Sequence, residues 1–392
     1  MVNSFSVAVE NSAANFISKN NLLCGNVLED LLLNLNPNGV KVLLCFDQGW
    51  FSVGKQIKDE LSKKQEVISF SLEENAHFEE CVNKLLSSVF NIEEIIVIGS
   101  EELALFAVNY LNNSGRVIYI PLDFDFSEFI VRSLDLKSNH LVFLDENLLN
   151  KCYKNKMADG ARHVLSKKLV LVEMLINEHI GALLPNNEAK NLFASALGDV
   201  YKYFTNHSLE LLVTAIIKAS VAEQKAGVSS IPTLASAILF KSENLSLKGE
   251  REYLFYKMVL RAYGMFFTNN TDCTISLPGV LLEQEEIAKL FPFEYKEMLA
   301  KLPEYLYDNE KTALLKKKIC ENSAVISEIN KQLSQIEKDA ELIKNEYGGR
   351  KYTVELYNLK QRAKALSLAP YIAKKPTAFH LLFAQGLTKY FE

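Results

Sequence analysis

Few residues in the sequence have a type and spacing that could carry out chemistry. The 392 residues contain no GxSxG serine elbow, no P-loop, no HExxH pair and no kinase signature. The six cysteines are far apart and form no CxxC pair, which favours neither a zinc site nor a secreted disulfide framework. Five histidines show no ligand spacing with one another: His77, His140, His179, His207 and His380. We interpret them as surface or core residues.

One turn has residues that could approach a phosphate. The segment VIGSEE, residues 97–102, joins an apolar run to a helical pattern, and Gly99-Ser100 at such a turn lets the backbone come close to a ligand. Glu101 and Glu102 favour the helix start but repel a phosphate. We therefore favour an ordinary strand-to-helix turn over a pyrophosphate site. Asp47, after another apolar run, has the position of a ribose-binding acid or of a common turn residue.

The first 150 residues alternate between strand and helix patterns. The predicted strands are Lys41–Phe46, Glu66–Phe70, Glu94–Ile98, Arg116–Ile120 and Asn139–Leu144, and the predicted helices are Phe51–Leu61, Phe78–Phe90 and Glu101–Leu111. Short apolar runs between turn residues are typical of buried strands. The alternation predicts an α/β domain with a doubly wound, mostly parallel sheet, whose ligands bind beyond the carboxyl ends of the strands.

From about Asn150 onward the strand patterns end and helical spacing continues. The predicted helices are Leu169–Ala182, Leu192–Tyr203, Leu209–Ala226 and Arg251–Phe267, followed by a charged helical region over Thr312–Tyr347 that Gly348-Gly349 closes. We interpret the charged stretch Glu328–Glu346 as a solvated face. The sequence thus predicts an α/β domain over residues 1–150 and an all-α domain over residues 151–392.

Composition excludes several classes of function. The formal net charge is -5, which argues against nucleic-acid or anionic-membrane binding because both need a concentrated basic surface. No run approaches the ~18 apolar residues that span a bilayer. The first residues show no basic segment followed by an apolar run, so no signal peptide is expected. The dispersed cysteines favour a reducing compartment, and we expect a cytoplasmic protein.

Seven segments, in this order, carry a family resemblance. They are Leu22–Gly25, Lys41–Gly49, Ile95–Leu111, Ala158–Lys167, Ser230–Leu239, Leu247–Glu252 and Ala369–Leu382. Their order and spacing resemble the superfamily of dehydroquinate synthase, glycerol-1-phosphate dehydrogenase and the iron-dependent alcohol dehydrogenases. The resemblance implies a dinucleotide-binding α/β domain, a helical domain that holds a divalent metal, NAD or NADP as cofactor, and a homodimer.

The segments that match the metal ligands of this superfamily lack most of them. His163 stands where a carboxylate ligand belongs, and Pro232 and Ser236 stand where histidines belong. Lys248 replaces the last ligand, although Gly249-Glu250 is retained. One imidazole, a hydroxyl and an ammonium do not form a divalent-metal site, so we expect no bound metal.

The nucleotide positions are also altered. By resemblance they are Asp47, Gly99 and Ser100, but Val97 and Ile98 replace two of the glycines that the superfamily uses. We therefore expect NAD or NADP to bind weakly or not at all. The leading hypothesis is a divergent, non-catalytic member, a pseudoenzyme, that binds a ligand or partner. The alternative is an active NAD(P)-dependent polyol or polyol-phosphate dehydrogenase, or a sugar-phosphate cyclase, with a non-standard site.

A sharper hypothesis concerns Lys248 and His163. The Lys248 ammonium would take the place of the metal charge and stabilise an anionic group, and His163 would exchange a proton near neutral pH. The simpler interpretation is a solvent-exposed lysine and an ordinary helical histidine. The predicted ligand is a small anionic or polyol molecule in the interdomain cleft.

Overall fold

The computed structural model describes most of the chain, in segments separated by gaps. These are residues 4–13, 21–27, 29–30, 41–72, 92–111, 115–133, 139–152, 154–228, 230–242, 247–268, 309–347, 359–373 and 378–383, with a few positions between 285 and 300. The chain forms two compact units: Met1–Met157 with Asn206–Ser220, and Ala158–Thr205 with Val221–Glu392.

The first unit contains a six-stranded parallel sheet. Its strands are β1 (Leu22–Cys24), β2 (Val42–Asp47), β3 (Val67–Leu72), β4 (Glu94–Gly99), β5 (Arg116–Pro121) and β6 (Leu141–Leu144), in the order β1-β6-β5-β4-β2-β3. β4 and β6 are buried along their whole length, as expected for strands with both faces covered. Leu44, Ile96 and Ile118 lie on one face of three neighbouring strands and share a core cluster.

Several helices and one 3₁₀ turn accompany the sheet. They are α1 (Ser4–Ala13), α2 (Phe51–Leu61), α3 (Glu101–Leu111), α4 (Ser127–Ser133) and α5 (Glu146–Leu149), with a 3₁₀ turn at Gln48–Trp50. Gly54 of α2 must remain a glycine because a Cβ there would lie 2.5 Å from the Phe46 ring. The α/β prediction is confirmed, and the predicted helix Phe78–Phe90 lies outside the described residues.

The described residues of the second unit form helices joined by turns, with no strand among them. Its helices are α6 (Lys154–Ser166), α7 (Lys168–His179), α8 (Asn187–Asn206), α9 (Leu209–Ala226), α10 (Ile231–Ser242), α11 (Lys248–Thr268), α12 (Asn309–Cys320), α13 (Ser323–Tyr347), α14 (Leu359–Ile372) and α15 (Phe379–Phe383). Of these, α6 and α9 extend into both units, and α8 does so by its last residue, Asn206. No helix among the described residues is both long enough and apolar enough to cross a membrane.

The charged region near the C-terminus is two helices and not one. Asn322 separates α12 from α13, since its side-chain oxygen accepts from the amides of Ala324 and Val325 and so starts the second helix. The interpretation of this region as a solvated face is wrong for one side of α13. Ile329, Ile336 and Asp339 are buried on that side, and α13 packs against α11 and α7.

Candidate functional site

The sheet brings the predicted nucleotide positions to one edge. β2 has β3 on one side and β4 on the other, so the strand order reverses between β2 and β4. Phe46 pairs with Ile98, and Asp47 and Gly99 follow at the carboxyl ends of these two strands. Ligands of open parallel sheets bind at such a reversal. The backbone positions are therefore those of a ligand site in this fold class.

The turn after β4 uses its own polar groups internally. Gly99 has a φ of 136°, which favours glycine. The Ser100 hydroxyl accepts from the Leu103 amide at 3.4 Å. The Glu101 carboxylate is buried and accepts from the Phe129 amide at 2.8 Å, so it caps α4 and does not face outward. The Ser100 hydroxyl oxygen and the Glu101 carboxylate are therefore both bonded to backbone amides within the α/β unit.

The acidic segment after β5, residues 121–125, also has its first carboxylate bonded within the protein. The Lys156 ammonium lies 3.0 Å from Asp123 Oδ2, and the Asp125 amide donates to Asp123 Oδ1 at 3.1 Å. Burial raises the pKa of Asp123, and Lys156 opposes that change. Asp123, in the acidic segment 121–125, is therefore part of an internal ion pair with Lys156.

In the helical unit, α6 supports the start of α11. The Asp159 carboxylate accepts from the amides of Gly249 and Glu250 at 3.0 and 2.8 Å, which satisfies first-turn donors that have no partner in the helix itself. A Cβ at Gly249 would lie 2.1 Å from the Asp159 carbonyl oxygen. The Gly249-Glu250 pair therefore has a packing role, because only glycine allows the two helices to approach this closely.

His163 lies against a buried glutamate. Its Nδ1 is 2.6 Å from Glu252 Oε2, and the side chains are 6% and 0% exposed. Burial alone would raise the pKa of Glu252, but the Lys167 ammonium and the His163 ring outweigh burial and hold this pKa well below its usual range. The carboxylate is therefore ionised. His163 Nε2 and Glu252 Oε1 are also buried, and neither has a hydrogen-bond partner in the part of the chain that the structure describes.

A buried ammonium completes this group of side chains. Lys167, 1% exposed, lies 2.7 Å from Glu223 Oε2 and 3.8 Å from Glu252 Oε2, and it donates to Thr233 Oγ1 at 2.9 Å. We call His163, Lys167, Glu223, Thr233 and Glu252 the Lys167 network. It joins α9, α10 and α11 to the junction of α6 and α7.

Sequence reasoning missed Lys167, Glu223 and Glu252 as members of a site. A signal was present for Lys167: Lys167-Lys168 interrupts two apolar runs, and lysine in such a context is buried only when it is paired. Glu223 and Glu252 had no such signal, because their pairing depends on residues distant in sequence.

The other predicted ligand positions have separate partners. Ser236 accepts from Arg251 Nε at 3.1 Å, and Pro232 is buried in α10. Lys248 is half-buried at the first residue of α11, one turn before Glu252, and its charge also lowers the pKa of Glu252. The predicted roles of Lys248 and His163 stay predictions.

The residues of the Lys167 network do not fit a divalent metal. Glu223 and Glu252 already face the Lys167 ammonium. A metal ligand set needs carboxylates that are free to bind. Among the described residues, no three His, Cys, Asp or Glu side chains are placed to hold a metal ion. No reaction step is therefore assigned to a metal here.

Comparison with known proteins identifies the fold. No protein-family model matches the sequence, and a search of the curated proteins gives no match. Among solved structures, the chain is similar to an archaeal halo-thermophilic alcohol dehydrogenase from a Red Sea brine pool, with a TM-score of 0.53 and 12% identity over 90% of each chain.

Two further solved structures have similar scores. One is a 1,3-propanediol oxidoreductase, with a TM-score of 0.52 and 14% identity over 90% of this chain and 92% of the other. The second is the sulfoacetaldehyde reductase of Bifidobacterium kashiwanohense in complex with NAD+, with a TM-score of 0.50 and 13% identity over 95% and 96%. The sequence resemblance to the dehydroquinate synthase and iron-dependent alcohol dehydrogenase superfamily is confirmed for the fold alone, which the chain shares with these three structures.

Proposed function

We propose that this protein is a divergent member of that superfamily which binds a small polyol or anionic ligand and does not carry out metal-dependent dehydrogenation. The observation that carries the proposal is the buried Lys167 ammonium, held by Glu223, Thr233 and Glu252. Two unit charges about 4 Å apart interact by about 4 kcal/mol at an effective dielectric constant of 20. A divalent ion beside Lys167 would meet roughly twice that repulsion and would compete for the same carboxylates.

The chemistry of the ligand follows from two buried atoms without a hydrogen-bond partner in the described residues, His163 Nε2 and Glu252 Oε1. Glu252 fixes the His163 ring, as carboxylates commonly do when the other ring nitrogen contacts a ligand. Glu252 Oε1 is an acceptor, and His163 Nε2 is a ring nitrogen that can donate or accept. A hydroxyl group both donates and accepts, so it can bond to each of the two atoms, which supports a polyol. The half-buried Lys248 supports an anionic group on the same ligand.

The absence of metal and nicotinamide chemistry can be tested directly. We expect the protein, dialysed without chelator, to contain no stoichiometric zinc, iron or nickel by elemental analysis. We also expect no thermal shift with millimolar NAD+ or NADP+, although a ligand at about 100 times its Kd would stabilise the fold by about 2.7 kcal/mol. One tightly bound metal per chain, a clear shift, or NAD(P)-dependent oxidation of glycerol would contradict the proposal and favour the dehydrogenase alternative.

Ligand binding is tested with glycerol and inorganic phosphate as probes, by calorimetric titration. His163→Asn keeps an N–H donor for Glu252 Oε2 but has no atom at the Nε2 position, so it should abolish glycerol binding. Lys248→Met should abolish phosphate binding, and the melting curves should show that both variants remain folded. The control is His207→Asn, because His207 is exposed and has a φ of 54°, which asparagine adopts readily. Binding that both site variants retain, or no binding of either probe to the wild type, would reject the site.

Assembly and location are part of the same proposal. We propose a homodimer in the cytoplasm, without nucleic-acid or membrane partners, on the basis of the superfamily resemblance and the net charge of -5. Light scattering that shows a monomer at tens of micromolar would contradict the dimer.

A further inference from the structure

One face of α7 carries two buried polar side chains that lie outside the Lys167 network. They are Glu173 and Asn177, and both are 0% exposed. They are four residues apart, so they lie on the same face of the helix, one turn from each other. Neither residue type is commonly buried without a partner.

Most of their hydrogen-bonding groups have no partner. Glu173 Oε1 accepts from the Tyr263 hydroxyl of α11 at 2.7 Å. Glu173 Oε2, and both Nδ2 and Oδ1 of Asn177, are buried and have no partner in the described chain. Buried polar atoms are nearly always hydrogen-bonded, to protein or to ordered water. Three such atoms on adjacent turns of one helix therefore point to a bound molecule.

The charge of the two side chains selects the kind of molecule. Burial raises the pKa of Glu173 to about 8, the Tyr263 hydroxyl opposes that change, and the Glu223 carboxylate adds to it. Glu173 is therefore a neutral acid at neutral pH. A neutral acid and a carboxamide offer both donors and acceptors but no net charge, so a neutral molecule that can donate and accept fits, and a cation or anion does not.

We propose that an ordered internal water molecule is bound between Glu173 Oε2 and the Asn177 carboxamide. The water accepts from both the Glu173 hydroxyl and Asn177 Nδ2, and it donates to Asn177 Oδ1. Two or three protein partners are typical of a buried water. A direct bond between the two side chains would satisfy Glu173 Oε2 and only one of the two amide atoms, whereas a bridging water reaches all three. This water site involves none of the residues assigned to the ligand, so its test is independent of the proposed function.

The variant Asn177→Leu tests whether a water molecule is bound between Glu173 and Asn177. If no water contacts the Asn177 carboxamide, leucine removes two polar atoms without partners, and the melting temperature rises or is unchanged. If water bridges the pair, leucine displaces the water, leaves Glu173 Oε2 unpaired, and lowers the melting temperature by several degrees, which is the expected result. The control is Tyr256→Phe, because the Tyr256 hydroxyl is another buried group without a partner and its removal should cost little.

A crystal structure of the wild-type protein decides the case if the variant fails to fold. We expect a density peak within about 3.2 Å of both Glu173 Oε2 and an Asn177 amide atom. A direct hydrogen bond between the two side chains with no such peak, or an Asn177→Leu protein at least as stable as the wild type, would overturn the proposal.

Discussion

We expect Glu173 to make the stability of the helical unit depend on pH, and its replacement with glutamine to remove that dependence. The carboxyl is fully buried, and Tyr263 is its one hydrogen-bond partner in the described chain. Glutamine has nearly the same shape and keeps an acceptor for the Tyr263 hydroxyl, but it cannot ionise. The comparison of Glu173→Gln with the wild type therefore isolates the ionisation of one group.

The size of the change in the free energy of unfolding follows from the difference between the pKa of Glu173 in the folded chain and in the unfolded chain. Burial raises the pKa of Glu173 from 4.5 to about 8, and each pH unit of difference corresponds to 1.36 kcal/mol, so the largest effect is about 5 kcal/mol. Between these two pKa values the folded state binds the proton and the unfolded state does not, so the free energy of unfolding falls as pH rises. The contribution is complete below about pH 4.5 and is lost by about pH 8.

The assay is the unfolding transition of the helical unit, followed by urea denaturation from pH 5 to pH 9. The wild type should lose stability across this range relative to Glu173→Gln, and the control Glu337→Gln, at a side chain that is 82% exposed, should parallel the wild type. An infrared band of a protonated carboxyl at pH 7 should be present in the wild type and missing in Glu173→Gln. Parallel pH profiles for wild type and Glu173→Gln would refute the reasoning.

Four substitutions in and near the Lys167 network test its packing and charge. Lys167→Met leaves Glu223 and Glu252 without their cation in a buried site and should cost about 3–5 kcal/mol in urea denaturation; a smaller loss than 1 kcal/mol would show that the carboxylates are solvated. Asp159→Ala removes the acceptor of two first-turn amides and should cost about 1–3 kcal/mol, whereas Asp159→Asn should retain most of the stability. Gly249→Ala places a Cβ 2.1 Å from a carbonyl oxygen and should cost about 1–3 kcal/mol in thermal melts, and unchanged melting would contradict the close approach.

The sheet was predictable because each central strand carries its own signal. Runs such as Val42–Asp47 and Glu94–Gly99 are apolar at nearly every position and end at turn residues, which is the pattern of strands covered on both faces. Helices with regular apolar spacing were equally clear, and Leu209–Ala226 has the predicted bounds. In these elements the local pattern and the tertiary environment agree.

Buried ion pairs were not predictable, since their partners are distant in sequence. Lys168 lies beside Asp339, 171 residues away, and donates to the Tyr201 hydroxyl at 2.6 Å. Burial lowers the pKa of Lys168, and Asp339 opposes that change. A helical pattern shows charged residues at these positions but not that they face each other. The solvated-face interpretation of α13 failed for that reason.

The Lys167 network shows why departures from a ligand pattern cannot be interpreted one position at a time. His163 and Lys248 stood out in the sequence because each replaces an expected ligand, and a catalytic pair was built from those two positions. In the structure the buried cation is Lys167, the last residue of the matching segment Ala158–Lys167, and its counter-charges are Glu223 and Glu252. A buried carboxylate is stable only when a positive charge accompanies it. The buried Glu252 in the second turn of α11 therefore requires a cation nearby, and the chain supplies that cation as Lys167.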